Sequence, residues 1–297
     1  MAIQNATPTL WSKMILRAYN TLTVFNGPGV ITREYEGEIK SAGDSVKIVS
    51  IGDPEVRKYT KDTDITGPDA LVDASQTLVI DQADYLNWAI DGIDLAQITV
   101  DAMGEASRRS AYKLRKEADT FTSKLWEKID TSTKTTEVKR STFTEGRSAV
   151  YDAVVEAGVK LDETDTPEEG RFVVLNPASV GAIQKDLRFT SYGTAGNRAQ
   201  LENGFNPASD VFGNANGYIG KVAGFNVFQS NQVQVATKKY KCIAGHPTAW
   251  TFADQILNFE TYRPEKRIGA TGVKGLHVYG AKVLRPSSLS LVTLEDA

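Results

Sequence analysis

Apolar positions recur at helical spacing most persistently between residues ~92 and ~130. Val100, Met103, Ala111, Leu114, Ala118, Phe121, Leu125 and Ile129 share one stripe, with Ser107 filling a gap, and their mean step is close to the helical period. Asp94 followed by Gln97 gives a capping-box-like start. The opposite face carries Arg108, Arg109, Lys116, Lys124 and Glu127. About 36 residues at ~1.5 Å each predict a rod of about 54 Å, the length of an extended or flat object. Near the N-terminus, Leu10, Trp11, Met14, Ile15, Ala18 and Tyr19 form the apolar face of a short helix. Thr7 caps it, Pro8 takes its first position, and Asn26-Gly27-Pro28-Gly29 ends it. A helix that short is marginal alone, so it needs something to dock on.

Between these helices the pattern changes. Val30–Tyr35, Ser45–Ile51 and Gln76–Ile80 read as strands, separated by turn-rich charged stretches that include Ala42-Gly43-Asp44 and Gly67-Pro68-Asp69. Residues ~31–80 hold few large apolar side chains, which predicts a long exposed hairpin that lies on a partner. After a polar linker (Asp130–Ser141), Thr142 and Glu145 resemble a capping box for a helix through Val150, Ala153, Val154 and Ala157, ended by Gly158. Phe172–Leu175 is a buried strand and Ala178–Lys185 a helix. Residues ~190–217 form a long Gly/Asn/Ala/Ser loop, of a length that is usually functional or mobile. Strands follow at Gly224–Phe228 and Tyr240–Ala244, a short helix at Ala249–Asp254, and strands at Ile256–Tyr262, Gly275–Leu284 and Leu289–Leu294. Helices and strands mix without a regular repeat, which indicates an α+β fold.

Composition narrows the function. The 297 residues suit one large or two ordinary domains. A net charge of -3 argues against a strongly basic nucleic-acid binder. One Cys (Cys242) excludes an internal disulfide framework, and two His (His246, His277) leave little for a zinc site. No run approaches ~18 apolar residues and no signal peptide is visible, which predicts a protein with no membrane contact that is made and used in a cytoplasm or leaves it without the secretory route.

The candidate chemistry is thin. Asp62-x-Asp64-x-Thr66-Gly67 with Asp73 mimics a calcium loop, but its flanks are strand-like and its twelfth residue is Asp, so a hairpin turn is the reading. Ser110-x-x-Lys113 matches a serine–lysine pair without the partner motifs. Gly217, Gly220 and Gly224 fit no phosphate-binding spacing and are expected to shape turns and a bulge. Cys242 and His246 could pair as nucleophile and base, although Gly245 and Pro247 suggest a turn there. Asp81, Asp84, Asp91 and Asp94 are the densest acidic set, placed to support the dipole of the following helix. No catalytic, cofactor-binding or metal-ligating residue is therefore assigned.

The order of parts carries a resemblance. Arm, hairpin, long helix, compact unit and returning strands resemble the major capsid proteins of tailed phages. Local stretches are similar too: Arg33–Gly37 leading into Gly43–Val46, Ala89–Gln97, Gly170–Pro177, Gly220–Val227 with Ser230-Asn231, and Tyr279–Pro286. The resemblance implies the Hong Kong 97-like major capsid fold, with N-terminal arm (1–30), extended β-hairpin loop (31–80), peripheral domain with spine helix (81–135), compact axial domain (136–254) and return strands of the peripheral domain (255–297). It implies a self-assembling coat protein, not an enzyme, that forms hexamers and pentamers of an icosahedral shell around double-stranded DNA. The expected partners are a separate scaffolding protein, the portal protein and, weakly and non-specifically, packaged DNA; the expected place is the virion, with assembly in the host cytoplasm. The competing readings are a tail-tube subunit, an encapsulin-like shell, or a hydrolase using Asp91, Asp94 or Cys242 with His246.

Overall fold

The structure, a computed structural model, describes residues 23–35, 45–51, 58, 59, 61, 64, 73–91, 102–130, 132–135, 137–186, 217–266 and 269–295. The helix predicted over Thr7–Tyr19, the first turns of the spine, the turns at 42–44 and 67–69, and most of the ~190–217 loop lie outside them.

Two ladders organise the chain. β1 (Ser45–Ile51) and β2 (Asp73–Val79) pair antiparallel along their full length, Ser45 opposite Val79 and Ile51 opposite Asp73. β3 (Gln82–Ile90) follows at once. It forms the edge of a three-stranded sheet with β13 (Thr271–Val283), which pairs with β12 (Trp250–Tyr262) on its other side. The hairpin root sits on this sheet: Val46, Ile48, Leu78 and Ile80 bury against Ala253 and Val278. Lys282 donates to the Thr77 carbonyl (2.9 Å) and Gln76 to the Leu284 carbonyl (3.0 Å). Gly280 makes that approach possible, since a Cβ there would lie 2.4 Å from the Val79 carbonyl oxygen.

The spine helix, α1 (Ala102–Ser123), runs 22 residues, about 33 Å, and continues as a 3-10 turn at Lys124–Lys128. Ser107, Ala111, Leu114 and Ala118 of the predicted stripe are buried. So are Ser110, Asp119 and Thr122, three polar side chains on the same face.

The second unit is a seven-stranded sheet built on short strands. β4 (Val138–Lys139) lies parallel to β14 (Leu289–Glu295), and β14 is antiparallel to β11 (Lys239–Gly245). Then come β7 (Phe172–Leu175), β9 (Phe225–Gln229) and β8 (Tyr218–Val222), with β10 (Gln234–Ala236) paired to β11. α2 (Ala149–Asp162) packs Val150, Ala153, Val154, Ala157 and Leu161 against it, and α3 (Pro177–Gln184) adds Val180 and Ile183.

Four expectations are corrected here. Thr142 and Glu145 do not cap α2: β5 (Phe143–Thr144) and β6 (Arg147–Ser148) make a small hairpin there, and Ser148 is the cap, its hydroxyl accepting from Val150 N–H. Gly158 does not end that helix; it lies inside it, where a Cβ would be 3.4 Å from the Phe225 ring. Ala249–Asp254 is not a helix. Only Pro247–Ala249 make a 3-10 turn, after which Trp-Thr-Phe, strand-favouring residues, enter β12 opposite Val283, Lys282 and Ala281. Residues 289–295 do not return to the peripheral sheet; β14 lies between β11 and β4 in the larger one, because every side chain from Leu289 to Leu294 is buried, which demands cover on both faces.

Candidate functional site

The two sheets meet at Trp250. Its ring is fully buried, stacked on Phe172 (centroids 5.6 Å apart, 2° between planes) and edge-on to Phe25 (6.5 Å, 83°). Its indole N–H donates to the Val30 carbonyl at 2.6 Å. Residues 23–30, the end of the predicted arm, thus belong with Ile31 to the subunit's own core: Val24, Phe25, Val30 and Ile31 are buried there.

The spine helix grips the same segment through a buried carboxylate. Asp119 is wholly inaccessible and accepts the N–H groups of Val24 (3.0 Å) and Asn26 (3.3 Å). Thr122, one turn on, donates its hydroxyl to the Asn26 side-chain oxygen at 2.6 Å. Burial pushes the Asp119 carboxyl up from 3.8 to about 6, opposed by those N–H donors and by Arg115, 4.0 Å away. Desolvation therefore outweighs the hydrogen bonds.

A polar relay crosses the smaller sheet. Arg33 pairs with Asp254, whose other oxygen bonds His277 Nε2 at 3.0 Å. His277 stacks on Tyr279 (4.9 Å), and the Tyr279 hydroxyl donates to Asp84 at 2.8 Å. Burial, then the bond to Asp84, raises the Tyr279 hydroxyl well above its ordinary value. The relay adds side-chain links to the backbone bonds by which Thr32 is already joined to Trp250 and Phe252 of β12.

The predicted reactive groups do not converge. Cys242 is fully buried in β11, and burial pushes its thiol up to about 12; a thiol so held is protonated at neutral pH and a poor nucleophile. His246 bonds Thr248 through Nδ1 (2.7 Å) and caps the 3-10 turn; no hydrogen bond joins it to Cys242. Ser110 faces the core while Lys113 is exposed. Asp84 sits within β3, and Asp81 accepts from Gln82; Asp94 and the Asp62-to-Asp73 loop, save Asp64 and the strand residue Asp73, fall outside the described residues. Among the described residues no group of three His, Cys, Asp or Glu side chains could hold a metal, and no helix is long and apolar enough to cross a membrane. Gly217 and Gly224 turn the chain around β8, which bulges at Gly220.

What the surface offers instead is apolar area. Tyr85 on β3 is 78% exposed and, with Leu276, lines an open depression of about 350 Å³. Val155 and Val159 form an exposed pair on the outer face of α2. The arm–spine joint, the relay and these patches were not legible as sites in the sequence. The one available signal was Asp119 itself, a charge set in the apolar stripe beside Ala118.

Solved structures define the class. The chain is similar to a structure from Mycobacterium phage Che8, at 26% identity over 99% of this chain and 98% of that one, with a TM-score of 0.68. It is similar to the capsid of the cyanophage P-SCSP1u (18% identity, 87% and 85% covered, TM-score 0.61) and to the capsid of Ralstonia phage GP4 (11%, 93% and 89%, 0.62). The fold is that of Hong Kong 97-type shells. The chain belongs to the phage capsid protein family, whose model matches residues 88–290. Curated protein sequences give no match. The protein is a major capsid protein, a structural, self-associating subunit of the virion shell.

Proposed function

We propose that the subunit forms hexamers and pentamers that tile an icosahedral shell around double-stranded DNA. It acts as a building block without catalysis. Assembly takes place in the host cytoplasm, with a separate scaffolding protein and a portal protein as partners. The ribbon of β1 and β2 lies over a neighbouring subunit. The axial unit comprises residues ~136–249 with β14, and the peripheral unit residues ~81–135 with β12 and β13.

The observation that carries this reading is the ribbon. Its root is held by the buried Val46, Ile48 and Leu78, while Val79 beside them and Tyr59, in the stretch between the two strands, are 51% and 72% exposed. A two-stranded ribbon is marginal in water without a surface to lie on. Negative-stain electron microscopy of the expressed chain, with and without co-expressed phage assembly proteins, tests the proposal. Closed shells or six- and five-fold rings are expected; a protein that stays monomeric under every condition, with residues 45–79 resistant to protease, would overturn it.

A further inference from the structure

α1 has two unlike faces. One is the buried stripe already described. The other, between Glu105 and Glu117, exposes seven side chains: Glu105, Arg108, Arg109, Tyr112, Lys113, Lys116 and Glu117. Four of the seven are cations, in a chain whose net charge is -3. Glu105 is committed to Arg109 at 3.0 Å, one turn along the helix. Arg108, Lys113 and Lys116 remain, a row that extends about 12 Å along the axis at ~1.5 Å per residue and winds over about 140° of the helix at ~100° per residue. Tyr112 stands in the middle of the row, 46% exposed, with the Arg115 guanidinium 5.1 Å over its ring. That stack, with Asp119 4.0 Å from Arg115, commits this guanidinium to the fold.

A rigid row of cations suits a regular polyanion better than a small anion, because no side chains converge on a single point. Double-stranded DNA presents a charge about every 1.7 Å of its axis, so a 12 Å row meets several phosphates without reading a base. We propose that the exposed face of α1 from Arg108 to Lys116 binds the phosphate backbone of double-stranded DNA, weakly and without sequence preference. This rests on the reading of the protein as a DNA-enclosing shell subunit and gives that shell's inner contact a location. Three phosphate contacts per subunit are few enough to be lost at raised salt, and repeated around a shell they still hold a packed duplex at a fixed distance from the wall.

The test uses the full-length chain before assembly and a short labelled duplex, with binding followed by fluorescence anisotropy across a salt series. Each phosphate contact contributes about 0.9 to the slope of log K against log salt. The triple variant Arg108→Gln, Lys113→Gln, Lys116→Gln is expected to lower that slope by about 3. The same count of changes at other exposed lysines, Lys139→Gln, Lys221→Gln and Lys238→Gln, is expected to leave it unaltered. Duplexes of unlike sequence are expected to bind alike. If the triple variant loses its helical circular dichroism, the single changes Arg108→Gln and Lys113→Gln carry the test, each expected to lower the slope by about 1. An unchanged slope in the variants overturns the proposal. So does wild-type protein that binds poly-glutamate but not duplex, which would assign the row to an acidic protein segment. Electron micrographs of the same samples separate the two readings: shells from a variant whose DNA binding is unchanged sink only this inference, and wild-type protein that never forms shells sinks the shell reading.

Discussion

At the scale of single residues, the arm–spine joint is decided by one carboxylate. Asp119 carries a charge at neutral pH in a site closed to solvent, held by two backbone N–H groups from a segment some 95 positions away. Its folded value lies above its unfolded one, so the folded state binds the proton more tightly. The resulting stability is fully present below about pH 4 and is lost as pH rises to about 6, a change of about 3 kcal/mol at ~1.4 kcal/mol per unit. Urea denaturation of the unassembled chain at pH 4.5 and pH 7 is expected to show a lower midpoint at pH 7 from this group. Asp119→Asn keeps an acceptor for the Val24 N–H and removes the charge, so its pH dependence over that window is expected to flatten. A slope identical in both proteins would refute the assignment. None of this was readable in the chain. The stripe of Ser107, Ala111, Leu114 and Ala118 was, because periodicity is local. The burial of Asp119 was not, because its partners Val24 and Asn26 are set by tertiary packing.

At the scale of elements, local pattern located most strands and both shorter helices, and its errors have a common cause. Thr142, Glu145 and Gly158 carry real capping and terminating propensities, yet Asp186 accepting from Ser148 N–H at 2.7 Å and the packing of Phe225 against Gly158 fix α2 elsewhere. Ala249–Asp254 was misread because six residues with two polar positions fit either period; pairing with β13 settles it. The hairpin root gives a sharper test. A Cβ at Gly280 would sit 2.4 Å from the Val79 carbonyl oxygen and 3.0 Å from Ile80 Cδ1. Gly280→Ala therefore forces backbone apart, at about 1–3 kcal/mol. It is expected to lower the melting temperature by several degrees and to speed proteolysis within residues 45–79, while α1 helicity is retained. A hairpin as protected as in the wild type would show that the contact is not structural.

At the scale of the whole molecule, the subunit keeps its ordered core for two sheets and the joint between them, and leaves apolar side chains outside. Val155 and Val159 are 39% and 50% exposed on α2, apolar surface that a contact between copies would cover. Exposed positions tolerate substitution within about 0.5 kcal/mol, so Val155→Asp with Val159→Asp is expected to leave the circular dichroism and melting of the single chain unchanged. Shell yield by sedimentation is expected to fall at least about tenfold, since only ~1.4 kcal/mol at each contact is needed. Undiminished shells would exclude this face from the lattice. The position of β14 has a different consequence. The last element in chain order pairs on one side with β11 and on the other with β4, some 155 residues earlier. During synthesis, β4 through β11 emerge with a gap where β14 belongs, and contacts this distant in sequence form slowly. The larger sheet is complete only when that strand has left the ribosome. A chain terminated before Leu289 therefore leaves the facing edges of β11 and β4 unpaired.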